Sequence, residues 1–152
     1  MGSEIGFETG PFLVIACLCE RALQEVDGSL SIIRVTDTVT VRAAGADAPE
    51  QMPAGTVIST TLVVSLRAGE ARGSSTLEIS IENPMGMRQP GPELSVPWSG
   101  GPANGANLIL PMTLAAEFAG LYWFDLRIAG RLLTRVPLQV NYQFVRSPGQ
   151  VG

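Results

Sequence analysis

Two cysteines stand two residues apart in Val14-Ile15-Ala16-Cys17-Leu18-Cys19, and the chain has no others. Residues i and i+2 of a strand project to one face, so the two thiols are neighbours there. Structural zinc takes four ligands, usually Cys and His. This chain offers two thiols and no imidazole, so only a dimer giving two Cys from each subunit would complete such a site. A disulfide between them would strain an extended backbone, because bridged Cα atoms prefer roughly 5.5 to 6 Å and opposed side-chain directions. The pattern favours buried strand thiols, Cys acting as a small hydrophobe, with a dimeric metal site and redox sensing as the alternatives.

The absence of His removes the side chain whose unperturbed pKa lies nearest neutrality. Ser-His-Asp and Cys-His nucleophile systems therefore cannot be built within this chain. Glu78 and Glu82 are i and i+4 on one strand face, about 13 Å apart at the usual rise, too far for a two-carboxylate glycosidase pair. Asp27, Asp37, Asp47 and Asp125, with Asn83, Asn104 and Asn107, have the oxygen ligands for Ca²⁺ but no D-x-D-x-D spacing, and turn formation accounts for them equally. No phosphate-cradling Gly motif, nucleophile elbow or basic stripe appears. The expectation is a protein that is not an enzyme and that carries no cofactor or metal.

The 152 residues fit one domain, long enough to bury a core without staples. A net charge of -4 gives no reason to expect nucleic acid. The basic residues are all Arg, a composition that a GC-rich genome produces. Val14-Ile15-Ala16-Cys17 reads like a lipoprotein box, but Glu4 and Glu8 precede it where a signal would be basic. MGSEIG lacks the Ser or Thr of a myristoylation site at Gly6, and no apolar run approaches 18 residues. These features predict a soluble, cytoplasmic chain with reduced thiols and no membrane contact.

The elements that must position these groups are strands, since apolar and polar residues alternate at a period of two. In STLEISIE, Leu77, Ile79 and Ile81 face one way and Thr76, Glu78, Ser80 and Glu82 the other. TVISTTLVVSLR alternates likewise, and the linking AGEARG suggests a hairpin. LYWFDLRI turns Tyr122, Phe124, Leu126 and Ile128 inward and Trp123, Asp125 and Arg127 outward, then returns through Val136, Leu138 and Val140 as a second hairpin. Pro137 points to an edge position or a bulge in that return. NLILPMTL and ELSVPW read as further strands. FLVIACLC is apolar on both phases, as a strand covered on both faces would be. In SLSIIRVTDTVTVR the apolar phase shifts, which predicts a bulge near Ile32 and Ile33. ERALQEV has good helix formers and is left open between strand and helix.

Seven or eight strands with turns between them predict an all-β fold, an antiparallel two-sheet β-sandwich. Glu117, Gly120 and Tyr122 resemble the tyrosine corner of immunoglobulin-like domains, though the paired cysteines and strand C tryptophan of antibodies are missing. Residues 11–146 form the domain, with flexible segments at 1–10 and 147–152. CERALQEVDGSLSII and AGLYWFDLRIAGRLLTRVPLQV together resemble a family of small, uncharacterised bacterial β-sandwich proteins, a domain of unknown function. The resemblance implies a distantly immunoglobulin-like fold and supplies no catalytic residue.

Two loops and one strand residue carry the binding expectation. NPMGMRQPGP, 83–92, places Met85, Met87 and Arg88, types enriched at interfaces, at a sandwich end. WSGGPANGAN holds Trp98, which shares phase with Leu94 and Val96 and reads as core. Trp123 lies on the polar phase, either half-covered by a neighbouring loop or part of a partner surface. The sequence thus predicts a non-catalytic protein-interaction or self-assembly module anchored by Met85, Met87, Arg88 and Trp123. The alternative is a sandwich that binds a small molecule, a sugar or calcium at its loop end.

Overall fold

The computed structural model describes residues 9–98 and 101–145, and within them the alternation seen in the sequence is carried out as nine strands. They are β1 (Phe12–Gln24), β2 (Leu30–Val35), β3 (Thr38–Ala44), β4 (Val57–Arg67), β5 (Gly73–Glu82), β6 (Arg88–Trp98), β7 (Gly105–Ala115), β8 (Gly120–Ile128) and β9 (Arg131–Val145). One sheet has the order β2-β1-β4-β7 and the other β3-β9-β8-β5-β6. All pairs are antiparallel except β3 with β9. The neighbours β1-β4-β7 and β5-β8-β9 follow the A-B-E and C-F-G orders of an immunoglobulin sandwich. The protein is therefore an all-β, immunoglobulin-like sandwich, with one strand more than the upper expectation. The flexible segments expected at 1–10 and 147–152 lie, but for Thr9 and Gly10, outside the described residues.

The inward phases meet between the sheets. Leu62, Val64 and Leu66 of β4 face Leu77, Ile79 and Ile81 of β5 and Tyr122, Phe124, Leu126 and Ile128 of β8, all at most 2% exposed. Each such side chain contributes roughly 1.5 to 3 kcal/mol on burial. Trp98 joins this core, and its Nε1 donates to Ser75 Oγ at 2.9 Å.

Two local expectations change, one left open is settled, and the edge position expected at Pro137 is found. The run before AGEARG and the run after it are not a hairpin: β4 and β5 belong to different sheets, so the link crosses the sandwich. ERALQ is the second half of β1, because cross-strand pairing with β2 overrides helix propensity. No register shift occurs at Ile32 and Ile33; they pair with Ala22 and Arg21 in regular register. The run SLSIIRVTDTVTVR, expected as one strand, is instead two, β2 in the first sheet and β3 in the second, parted at Thr36 and Asp37. Pro137 lies where β9 pairs with β8 but before the β3 pairing begins at Gln139, a local edge that needs no donor.

The first sheet is covered on its outer side by its own chain. Cys19 and Val63 lie on the phase turned away from the sandwich core, yet both are at most 1% exposed. The tip of the β1–β2 hairpin, Asp27 to Leu30, walls one cleft together with Ile15, Ser65, Arg67 and Asn107 of the sheet's outer side. The hairpin thus folds back over that face. This explains why FLVIACLC is apolar on both phases.

Candidate functional site

The segment expected as a ten-residue loop is a short turn followed by a strand. Only Asn83 to Met87 turns the chain, and Arg88 to Pro92 already belong to β6. Asn83 makes this turn rigid. Its side-chain oxygen accepts from the backbone N–H groups of Met85 and Met87, both at 2.9 Å. Its own N–H donates to Met87 O at 2.8 Å, and Gly86, at φ +82°, supplies the left-handed residue that such a hairpin needs. Met85 and Met87 are left 66% and 54% exposed on this fixed backbone.

The β7–β8 connection buttresses the turn. Tyr122 at the start of β8 donates its hydroxyl to Phe118 O at 2.6 Å and accepts from Phe118 N at 3.3 Å, which is the tyrosine corner expected there. Burial pushes the Tyr122 phenol above its usual value, and the Glu117 carboxylate adds to the rise. Gly120 has φ +138°, and a Cβ at this position would stand 2.9 Å from the Pro84 ring, so turn and corner approach each other closely. Two clefts open beside them. One, of about 260 Å³, is lined by Met87, Arg88, Glu117 and Tyr122 among others. The other, of about 550 Å³, is lined by Met52, Pro84, Met85, Phe118 and Tyr142, again with Glu117.

Arg88 and Trp123 sit on the adjoining outer face of the second sheet. Cross-strand pairing sets Arg88, Glu82, Trp123 and Pro137 side by side over four strands, and the next row is Pro90, Ser80, Asp125 and Arg135. Asp125 is only 1% exposed although it points outward. It is enclosed by guanidiniums, with Arg135 Nε at 2.7 Å, Arg88 at 3.3 Å and Arg127 at 4.0 Å. Glu82 pairs with Arg88 and Arg135, each at 3.4 Å. The hydrogen bond to Asp125 raises Arg135 above its ordinary value. The Arg135 guanidinium also lies over the Trp123 ring at 4.5 Å, so Trp123 is half-covered by a side chain of β9 rather than by a loop.

The structure therefore brings the four expected anchors to one end of one face, in two kinds. Met85 and Met87 are presented to solvent. Arg88 and Trp123 are engaged in a charged network in which Asp125, weighed from the sequence only as an oxygen ligand, and Glu82, weighed only as half of a carboxylate pair, meet Arg135, which sequence reasoning did not single out. The signal was present in the polar phase of YWFDLR, but its partners are on β5, β6 and β9.

The other candidates have local roles. Asp27 Oδ1 accepts from Ser29 N at 3.0 Å in the β1–β2 turn. Asn107 Oδ1 accepts from Ser65 Oγ at 2.6 Å. Burial raises both thiols, Cys19 also through Cys17 beside it. Among the described residues no group of three or more His, Cys, Asp and Glu is placed to hold a metal, and no helix is long and apolar enough to cross a membrane.

Residues 14–141 match the model of a family of unknown function, DUF6941. No curated protein sequence matches the chain. Among solved structures it is similar to an alkylpurine DNA glycosylase of Pseudomonas fluorescens bound to DNA with an abasic-site analogue, at 9% identity and TM-score 0.40, covering 69% of this chain and 27% of that one. The chain thus spans about a quarter of that enzyme. It is also similar to the CARDB domain of a Pyrococcus furiosus protein in complex with di-metal ions, at 11% identity and TM-score 0.41, covering 93% of this chain and 95% of that one. An immunoglobulin-like protein of Pseudomonas aeruginosa aligns at 16% identity and TM-score 0.34 over 84% of this chain and 98% of that one. The fold assignment rests on the strand order and the tyrosine corner of this chain.

Proposed function

The chain belongs to that family of unknown function, and from this premise we propose that it is a non-catalytic docking module that captures a partner protein at the sandwich end. The observation that carries the reading is the pair Met85 and Met87, more than half exposed on a turn whose backbone Asn83 already fixes. A flexible thioether on a rigid backbone adapts to a partner surface while little backbone entropy is lost on binding. The two clefts flanking Glu117 receive the partner's side chains. Arg88 and Trp123, held by Asp125, Glu82 and Arg135, form the polar rim on one side.

The experiment is cross-linking capture from an extract of the source cells, using wild type and the Met85→Asp/Met87→Asp double variant. The reading requires a species captured by wild type and lost with the variant, which then binds the purified protein. Capture that is equal for both forms would refute it.

A further inference from the structure

A cleft of about 470 Å³ lies between the outer side of the first sheet and the tip of the β1–β2 hairpin. Cross-strand pairing builds its floor. Ile15, Ser65 and Asn107 stand side by side on β1, β4 and β7, and Arg67 is on the same outward phase of β4 as Ser65. Ser65 is 2% exposed and donates its hydroxyl to Asn107 Oδ1 at 2.6 Å. Arg67 Nη1 donates to Leu66 O at 2.9 Å and to Ser65 Oγ at 3.1 Å, with Asn107 Oδ1 at 3.5 Å. The side-chain acceptors of the floor are thus occupied by its own donors. The Nε and Nη2 edge of Arg67 and the Nδ2 amide of Asn107 make no hydrogen bond among the described residues, and Arg67 makes no ion pair there. What the floor still offers is donors.

We propose that this cleft binds a small monocarboxylate with an aliphatic tail. The Nε–H and Nη2–H groups of a guanidinium run parallel and match the two oxygens of a carboxylate, a pairing stronger than neutral hydrogen bonds. Tethering of Nη1 sets this edge in place before a ligand arrives, which lowers the ordering cost of binding, and the Asn107 amide adds a further donor. Val14, Ile15 and Leu30 line the same cleft and give the tail an apolar wall. Val14 falls at the β-bulge between Leu13 and Ile15 and is 53% exposed. Asp27 at the hairpin tip also lines the cleft without pairing with Arg67. Its hydrogen bonds from Ser29 hold its carboxyl below the usual value, so it stays ionised. One negative charge on the ligand answers Arg67, whereas a second one meets Asp27. A monocarboxylate is therefore favoured over a dicarboxylate.

The cleft shares no residue with the two clefts at the Met85 turn, so it adds a ligand to the proposed docking. The test is a heteronuclear NMR titration of the full chain with 4-methylpentanoate, against isopentylamine and 3-methylglutarate as matched probes. 4-Methylpentanoate should give saturable shifts at Ser65, Arg67, Asn107 and Gly28 to Leu30 by about 10 mM. Isopentylamine should give none there, and 3-methylglutarate should bind at least fivefold more weakly, a gap that Asp27→Asn narrows. Arg67→Gln should weaken 4-methylpentanoate at least tenfold. If that variant loses the fold, Arg67→Lys, which keeps the charge and the stem but not the fork, gives the same reading. Met85→Asp/Met87→Asp should bind 4-methylpentanoate like wild type, whether or not it captures a partner. No saturable shift with 4-methylpentanoate, equal binding of either matched probe, or binding unaffected by the Arg67 variants overturns the inference.

Discussion

The outer face of the β5-β6-β8-β9 sheet and the outer face of the β1-β4-β7 sheet each present a row of side chains turned away from the core, and they are closed by different means. On the first, Arg88, Arg127 and Arg135 gather around Asp125 and Arg135 caps Trp123, so the surface is sealed by charge and stays wettable. On the second, Cys19 and Val63 are sealed by the chain itself, with the tip of the β1–β2 hairpin, Asp27 to Leu30, reaching over the same side of the sheet. A charge-sealed face stays wettable and suits a polar rim, whereas a chain-sealed face is dry.

Val63→Asp tests the chain-sealed face hardest. An unpaired carboxylate under the hairpin should cost about 3 to 5 kcal/mol in urea unfolding, with loss of the fold as the extreme. A change within about 0.5 kcal/mol, as at an open surface position, would show that the hairpin does not cover it. Asp125→Asn tests the charge-sealed face. It leaves three guanidiniums without their buried partner, but these are 28% to 48% exposed and recover hydration, so the expected loss is about 1 to 3 kcal/mol. Equal stability to wild type would mean that the cluster only decorates the face.

Arg135→Ala should be milder, about 1 kcal/mol, and should shift Trp123 emission to the red as the ring loses its cover. Unchanged emission would place another group over the ring. The smallest effect belongs to the thiols. Burial raises the Cys17 and Cys19 pKa values, so the neutral form is the one that folding favours. That stability is complete below the unfolded thiol value and is lost as pH rises through the folded value, on the alkaline side of about 8.5. Native Cys19 should alkylate far more slowly than Cys19 in urea, while rapid native labelling would show that the hairpin opens.

The period-two pattern made the inward phase legible residue by residue, as Tyr122, Phe124, Leu126 and Ile128 show, and the spacing from Glu117 to Tyr122 disclosed the corner. What the pattern does not encode is which sheet a strand joins. AGEARG looks like a hairpin turn, yet it spans the sandwich, because only packing across the core distinguishes the two routes. ERALQ carries helix formers whose preference of a few tenths of a kcal/mol per residue yields to pairing with β2. Met85 and Met87 were legible as a Pro- and Gly-flanked pair, whereas the Asp125 cluster joins side chains from four strands separated by up to 53 positions (82 to 135), beyond any local motif.

The most direct test of docking at the sandwich end is hydrogen exchange of the protein alone and with its captured partner. The account predicts slowed exchange at Asn83 to Arg88 and at Glu117 to Ala119, with Asp125 to Arg127 unchanged. Protection centred on the Trp123 and Asp125 face, with the Met85 turn still exchanging freely, would contradict it.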